Sequence, residues 1–205
     1  MALVGSGLAL ATASSAVTIT TGLAWALPMG GLIPVLGSMV PMMMLMNSSP
    51  QTHSATYRNT LFGGFAALQG WGMAPLLGKM FILKPMVIPL ALGGTAGVFI
   101  AASAAALLVP RGSFLKYGTA LGGGAVALMV ASISNIFIGS SLMQTGILGG
   151  ALLLFTGFMA YDTQNTIERF RAGDRDHLQG AVNIFLDLIN MFKMMMIMFG
   201  LSSDD

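Results

Sequence analysis

Seven apolar segments, each close to the length that crosses a bilayer, follow one another along this chain. A hydrocarbon core of about 30 Å needs about 20 mainly apolar residues per helix. Only 8% of the residues are charged, against about 25% in a soluble domain, so the chain cannot cover a water-facing surface. The sequence predicts an all-α integral membrane protein, a seven-transmembrane helix bundle. Its segments are approximately 2–26, 30–47, 59–78, 86–109, 115–138, 143–163 and 179–200.

The connections between these segments are short, and no composition shift marks a linker. We therefore expect residues 1–205 to form a single transmembrane domain. The chain starts inside an apolar stretch without the charged region of a signal peptide, so we interpret 2–26 as the first membrane helix of a chain trimmed or unusually short at its N-terminus. The last segment, 179–200, either crosses fully or re-enters, and the sequence leaves both open.

The distribution of lysine and arginine predicts the orientation, because cytosolic loops carry an excess of both. In the seven-segment arrangement Lys79 and Lys84 fall on one side. Most of the other basic residues fall on the opposite side, which predicts a cytosolic location for that side and for the N-terminus. These residues are Arg58, Arg111, Lys116, Arg169, Arg171 and Arg175.

Two carboxylates lie where hydrocarbon is expected. Asp162 follows the apolar stretch FTGFMAY, and Asp187 lies within NIFLDLINMF. A charged Asp near the centre of a membrane helix costs about 2.5–3.5 kcal/mol on insertion scales, and such residues usually carry function. The short connection between the last two segments makes them neighbours, so the two carboxylates are expected to face each other.

The last segment also has a polar face. Asn183, Asp187 and Asn190 are spaced at i, i+4 and i+7, which places them in one narrow wedge of a helix. Lipid offers such side chains no partners, so the wedge must face the bundle or a wet cavity. We therefore treat Asn183 and Asn190 as candidates for lining a pore.

Two carboxyl groups within hydrogen-bonding distance do not both ionise cheaply, and they share one proton. Such a pair is a candidate pH sensor, and when ionised it offers the hard oxygen ligands that calcium prefers. Arg58, at the start of the third segment, is the best candidate for a counter-ion that competes with the shared proton. The alternative is a fixed ion pair that only closes the cytosolic ends of the helices.

Other classes of function have little support in the residues. No Ser/His/Asp triad or zinc motif is present, so no catalytic residue is assigned and we expect no enzyme. No basic stripe with interleaved aromatic residues points to nucleic acid. We expect no resident cofactor, with calcium and protons as transported ions. The spacings Gly93–Gly97, Gly118–Gly122 and Gly146–Gly150 predict close helix packing.

The C-terminal part of the chain resembles the signature of the Bax inhibitor-1 (transmembrane Bax inhibitor motif) family. That signature has a DTQ after an apolar span, a GDxD turn and an LFLDxIN-like helix. The matching stretch here is AYDTQNTIERFRAGDRDHLQGAVNIFLDLINMFKMMMIMFG. Further matches, such as RNTLFGGFAALQGWGMAPLL and GGTAGVFIAASAAALL, extend the resemblance in order over nearly the whole chain from the second segment onward.

The resemblance, closest to the eukaryotic branch, implies a multi-spanning protein of the endoplasmic reticulum membrane. Members are associated with suppression of stress-induced cell death and with a pH-sensitive calcium leak. It also implies a paired-aspartate sensor on the last two helices, matched by Asp162 and Asp187, and an arginine on an earlier helix that contacts it, matched by Arg58.

The chain departs from the family at both ends, with no polar N-terminal segment and a tail of SSDD in place of a lysine-rich run. The missing basic tail puts contacts with anionic lipid or with death-regulating membrane proteins in doubt. Two functions therefore stay open. One is a proton-gated calcium pathway, and the other is a non-conducting membrane protein that regulates apoptosis through partners.

Overall fold

The computed structural model describes residues 2–22, 31–174 and 176–202, without the side chain of Ser202. Over these ranges the chain is helical and has no strand, which confirms the all-α prediction. A 3-10 turn covers Leu115–Tyr117. The helices are α1 (Ala2–Thr20), α2 (Leu32–Met46), α3 (Ala55–Leu83), α4 (Val87–Leu108), α5 (Gly118–Ile138), α6 (Ser141–Arg171) and α7 (His177–Ser202).

Each described helix corresponds to one predicted segment, but α3 and α6 are longer than predicted. α3 covers 55–83 rather than 59–78, and α6 continues to 171 rather than 163. Hydropathy marks only the apolar part of a helix, whereas the hydrogen-bonded backbone continues until a cap or turn ends it. Ser54 caps the start of α3 by accepting from the Tyr57 amide, and Gly173, with φ of 90°, follows the end of α6.

Some predicted features lie outside the described residues. These are the end of the first segment at 23–26, the first residue of the second at 30, Arg175, and the tail residues 203–205.

Within the part of the chain that the structure describes, five helices are long and apolar enough to cross a membrane. They are α1, α4, α5 with the 3-10 turn before it (Leu115–Ile138), α6 and α7. α2 is apolar but has only 15 residues. α3 has 29 residues but carries Arg58, Gln69 and Lys79 and falls short in hydropathy. The chain therefore has the helices of a multi-pass membrane protein, and the count of seven spans stays a prediction, as does a full crossing by α7.

Large apolar side chains on the outer faces of the helices indicate a lipid environment. α5 is the least buried of the five, and Ile136 and Phe137 are 78% and 86% exposed. Leu142 and Leu153 on α6 are exposed to a similar degree. A soluble monomer rarely exposes a continuous apolar surface of this kind. Contact with the lipid bilayer accounts for it.

The described residues form two compact units. The first contains residues 1–85 and 176–185, and in it α1 and α2 pack on α3. The start of α7 belongs to this unit. Phe185 packs edge-on against Phe62 at 5.8 Å and Phe65 at 5.6 Å between ring centroids. These three fully buried rings form the centre of its core.

The second unit contains residues 86–175 and 186–205, and in it α4 and α5 pack on α6. The part of α7 after Phe185 belongs here. Thr95 of α4 contacts the sulfur of Met195 at 3.6 Å, and Gly94 leaves room for the same methionine. α7 is thus one continuous helix whose two ends belong to different units.

Glycine packing agrees with the prediction in part. Gly118 lies close to the Tyr161 ring and Gly150 close to Leu128, whereas nothing lies within 4 Å of the positions Gly93, Gly97, Gly122 and Gly146. The tight backbone approaches are in the first unit instead. A methyl group on Gly70 would overlap the carbonyl of Ala11, because α1 and α3 are in direct backbone contact there. The spacing of small residues shows that a helix backbone can be approached closely, but it does not show which helix approaches it.

We predict that Gly70→Ala destabilises the protein, because the added methyl group forces α1 away from α3. Overpacking of this kind typically costs about 1–3 kcal/mol. The measurement is the thermal unfolding midpoint of the full chain in detergent. Gly64→Ala is the control, since Gly64 lies on the same helix with nothing within 4 Å. Equal midpoints for the two variants would contradict the close approach.

Candidate functional site

Asp162 lies inside α6, nine residues before the helix ends at Arg171. Its side chain is buried, and on its own helix it follows the buried Met159 and Ala160. Helix α6 continues through the polar residues after it, so Asp162 is held by a hydrogen-bonded backbone on both sides. The predicted segment ends at residue 163, whereas the helix continues to Arg171, so Asp162 lies well within it.

Asp187 lies in the interior of α7, about 15 Å from the start of the helix at the usual rise per residue. It is buried, with the buried side chains of Ile189 and Met191 following it on the same helix. One of its oxygens, Oδ2, has no hydrogen-bond partner among the described residues. A buried acceptor without a partner costs about 1–3 kcal/mol. A cost of that size marks Asp187 as a candidate functional residue.

The carboxyl groups of Asp162 and Asp187 face each other within hydrogen-bonding reach, inside the second unit. A hydrogen bond between two carboxyl groups needs a proton on one of them. Removing that proton would leave two negative charges in contact at a buried position, where their repulsion is stronger than in water. The arrangement can therefore exist in two protonation states of different energy.

The pair offers few ligands for a resident metal ion. Within the described ranges, no group of three or more His, Asp or Glu side chains is placed to hold a metal. Calcium takes six to eight oxygen ligands, more than two carboxyl groups supply. The assignment of Asp162 and Asp187 as calcium ligands stays a prediction, for an ion in transit.

Asn183 and Asn190 lie on α7 together with Asp187, as the helical spacing predicted. Both are half-buried, and Asp187 between them is buried. Asn183 belongs to the first unit, whereas Asn190 belongs to the second with Asp187. Their assignment as pore-lining residues stays a prediction.

Arg58 lies in the first turn of α3 and is buried. Its Nη2 donates to Asp176 Oδ2 at 2.6 Å, and its Nε donates to Ser48 Oγ at 3.0 Å. Ser48, also buried, donates to the Leu45 carbonyl at 2.7 Å. A buried guanidinium is stable only when its charge and its N–H groups are matched, and these contacts provide the match.

Asp176 has a second role at the start of α7. Its Oδ1 accepts a hydrogen bond from the Leu178 amide at 3.2 Å. This is the contact of an N-cap residue, which satisfies one of the free amides of the first helical turn. One carboxylate therefore binds Arg58 of α3 and caps α7, the helix that carries Asp187.

Comparison with known proteins identifies the family. The family model described as "Inhibitor of apoptosis-promoting Bax1" matches residues 1–204. The protein named "Bax inhibitor 1" of Mus musculus is 34% identical over 176 residues, which is 85% of this chain and 74% of that protein. The protein of the same name from Homo sapiens is 33% identical over the same shares.

The chain belongs to the Bax inhibitor-1 family. This confirms the resemblance inferred from the DTQ, GDxD and FLDLIN motifs. The relationship extends beyond animals, because "Bax inhibitor 1" of Arabidopsis thaliana is 33% identical over 177 residues, 85% of this chain and 71% of that protein.

In this Bax inhibitor-1 family chain, sequence reasoning placed the two aspartates together but missed Asp176. The sequence analysis nominated Arg58 as counter-ion of the aspartate pair, and the carboxylate that the structure shows in contact with Arg58 is that of Asp176. Its role as a latch stays a prediction. Asp176 carried a readable signal, since an Asp directly before an apolar helix is typical of an N-cap.

We predict that Asp176→Asn destabilises the protein strongly. Asparagine still caps α7, but Arg58 is left as a buried charge without a carboxylate, which typically costs about 3–5 kcal/mol. The measurement is the unfolding midpoint of the full chain in detergent. The double variant Arg58→Met/Asp176→Asn should recover part of the loss, because it leaves no buried unpaired charge.

The matched control is Asp174→Asn. Asp174 pairs with Arg169 at 2.7 Å, but both side chains are more than a third exposed. Exposed pairs contribute about 0–1 kcal/mol, so this variant should unfold close to the wild type. An equal fall of the unfolding midpoint in Asp174→Asn and Asp176→Asn would show that the salt bridge of Arg58 contributes no more to stability than an exposed pair.

Proposed function

We propose that this chain is a pH-sensitive calcium leak channel of the endoplasmic reticulum membrane that suppresses stress-induced, Bax-type cell death. The proposal has two parts. The ion pathway is argued from the aspartate pair, and the cellular role is argued from the family. The protein is proposed to act without catalysis and without a resident cofactor.

The observation that carries the ion pathway is the contact between the buried carboxyl groups of Asp162 and Asp187. Buried acids in a membrane protein usually mark ion or proton pathways. While one proton is shared, the two side chains attract each other. When it leaves, their repulsion favours separation or the entry of a cation, and calcium prefers such oxygen ligands.

Arg58 is proposed as the latch of this pathway, acting through Asp176. The salt bridge fastens the first turn of α3 to the start of α7. Asp187 lies further along that same helix. A shift of α7 that accompanies loss of the shared proton would have to strain or break this bridge, so the bridge biases the helix toward one state. Asn183 and Asn190 are proposed to line the path.

The cellular role is argued from the names of the relatives, and the location from what the family resemblance implies. The matching family model is described by inhibition of apoptosis-promoting Bax1, and the mouse, human and Arabidopsis proteins are named Bax inhibitor 1. We propose the same role here, in the endoplasmic reticulum membrane with a cytosolic N-terminus. The orientation rests on the excess of basic residues in the loops predicted to be cytosolic.

A second candidate is a non-conducting membrane protein that regulates apoptosis through death-regulating partners. The family description names apoptosis and no ion, which favours this reading. In it, the aspartate pair and the salt bridge of Arg58 only hold helices together.

We predict that purified protein in dye-loaded liposomes carries calcium with a rate that depends on pH. Across roughly pH 5.5–8, Asp187→Asn should abolish that dependence while the protein stays folded, because an amide cannot exchange the shared proton. Asp162→Asn should have the same effect. Calcium uptake is followed by dye fluorescence, with empty liposomes as the baseline.

Asp174→Asn provides the control for loss of a carboxylate, since the Asp174 side chain is more than a third exposed and pairs with Arg169. It should retain the pH dependence of the wild type. Unchanged pH-dependent flux in Asp187→Asn would refute the sensor. No flux above empty liposomes with folded wild-type protein would refute the channel and leave the second candidate.

We also predict that protection of stressed cells follows ion flux. Cells expressing Asp187→Asn at wild-type levels should lose protection, because the proposed role depends on a regulated leak. The measurement is survival after an agent that stresses the endoplasmic reticulum. Full protection by a variant that carries no calcium would favour action through partners instead.

A further inference from the structure

A small polar pocket lies in the second unit, and neither Asp162 nor Asp187 lines it. It is formed where α4 ends, in the loop that follows it, and along the last turns of α6. Its volume is about 210 Å³. Ligand pockets for drug-sized molecules measure roughly 300–1,000 Å³, so this pocket suits only a small group. Its lining includes Leu107, Arg111, Gln164, Glu168 and Arg171.

The wall of the pocket is held in place by Gln164. This buried side chain accepts from the Phe114 amide at 2.7 Å and donates to the carbonyls of Ala106 at 3.4 Å and Pro110 at 3.3 Å. These hydrogen bonds fix the loop after α4 to α6. One of them is made at Pro110, the residue directly before Arg111. The same contacts occupy two carbonyl oxygens at a helix end, where unsatisfied carbonyls would otherwise disfavour an anion.

The charged groups of the pocket leave an excess of positive charge. Arg171 donates one hydrogen bond to Glu168 at 2.7 Å, and a guanidinium has five N–H donors. Arg111 is exposed and has no side-chain hydrogen bond or ion pair among the described residues. Two guanidinium groups against one carboxylate favour an anion with several acceptor oxygens, and guanidinium geometry matches phosphate.

One edge of the pocket continues into apolar surface. Leu107 lines the pocket and is 67% exposed, and the adjacent Leu108 is 85% exposed. They form the last turn of α4, one of the helices long enough to cross the membrane. A ligand with a phosphate in the pocket could lay its hydrocarbon along these leucines. A soluble phosphate would make no use of them.

We propose that this pocket binds a phosphate ester, supplied as the headgroup of an anionic phospholipid whose acyl chains run along Leu107 and Leu108. In the orientation predicted from basic residues, the pocket faces the cytosolic side. Basic pockets between membrane helices on that side are suited to anionic headgroups. The site does not depend on calcium transport, so it stands or falls separately from the proposed function.

The test is lipid binding by the full chain in detergent, followed by native mass spectrometry during titration with phosphatidylglycerol. Wild type should bind one lipid more tightly than any further lipids. Arg111→Gln should weaken this first event about tenfold, the loss expected when a hydrogen bond to a charged group is removed. Arg111 is exposed, so the variant should remain folded, which its unfolding midpoint checks.

The matched control is Arg169→Gln, which removes one positive charge from the same helix end. Arg169 does not line the pocket and is held by Asp174 through two hydrogen bonds. Its first lipid should bind within about twofold of wild type, because only distant, screened charge is lost. Equal weakening in both variants would show general surface charge and overturn the site.

Two further titrations test the charge of the headgroup and the source of the phosphate. Phosphatidylcholine, which carries no net charge, should bind more weakly than phosphatidylglycerol, and its binding should not depend on Arg111. Glycerol 3-phosphate at millimolar concentration should fail to displace the bound lipid. If millimolar glycerol 3-phosphate displaced the bound lipid, the ligand would be a soluble phosphate and the lipid source would be overturned.

Discussion

Hydrocarbon cannot hydrogen-bond, and this constraint governs where the charged and amide side chains of the described helices lie. The described helices turn large apolar side chains outward, as α5 does with Ile136 and Phe137, so polar groups must find partners inside. Arg58 does so with Asp176 and Ser48, and Gln164 does so with three backbone groups. Asp162 and Asp187 have each other. A polar group that is buried away from water, in a hydrocarbon environment that offers no hydrogen bonds, depends on the few protein partners that it has.

Helix α7 carries polar groups of both units. Its N-cap, Asp176, is fixed to Arg58 in the first unit, whereas Asp187 meets Asp162 in the second. The salt bridge and the aspartate pair therefore each involve a residue at or in the same helix. This is why the proposed sensor and the proposed latch are assigned to it.

Much of the fold was predictable because it depends on local pattern. Every described helix was anticipated from apolar length, and the wedge of Asn183, Asp187 and Asn190 followed from helical spacing. The ends of α3 and α6 were not, because the predicted segments were cut at charged and polar residues, whereas a hydrogen-bonded helix continues through them. The glycine contacts were predicted only in part. Gly118 and Gly150 do lie close to a neighbouring helix, but nothing lies close to Gly93 or Gly97, and the backbones of α1 and α3 meet at Gly70.

The sequence by itself determined the membrane class, the helices and the family, and it placed Asp162 and Asp187 on neighbouring helices, since the connection between the last two segments is short. Only the tertiary structure decided that Asp176 is the carboxylate that contacts Arg58, and that Arg111 and Arg171 share a pocket built on Gln164. Arg58 and Asp176 are far apart in the chain, and several carboxylates had the right charge. Which one meets the arginine depends on how α3 and the start of α7 pack, and that packing is set by shape, through rings such as Phe62 and Phe185. Periodicity and charge, which a sequence displays directly, do not encode it.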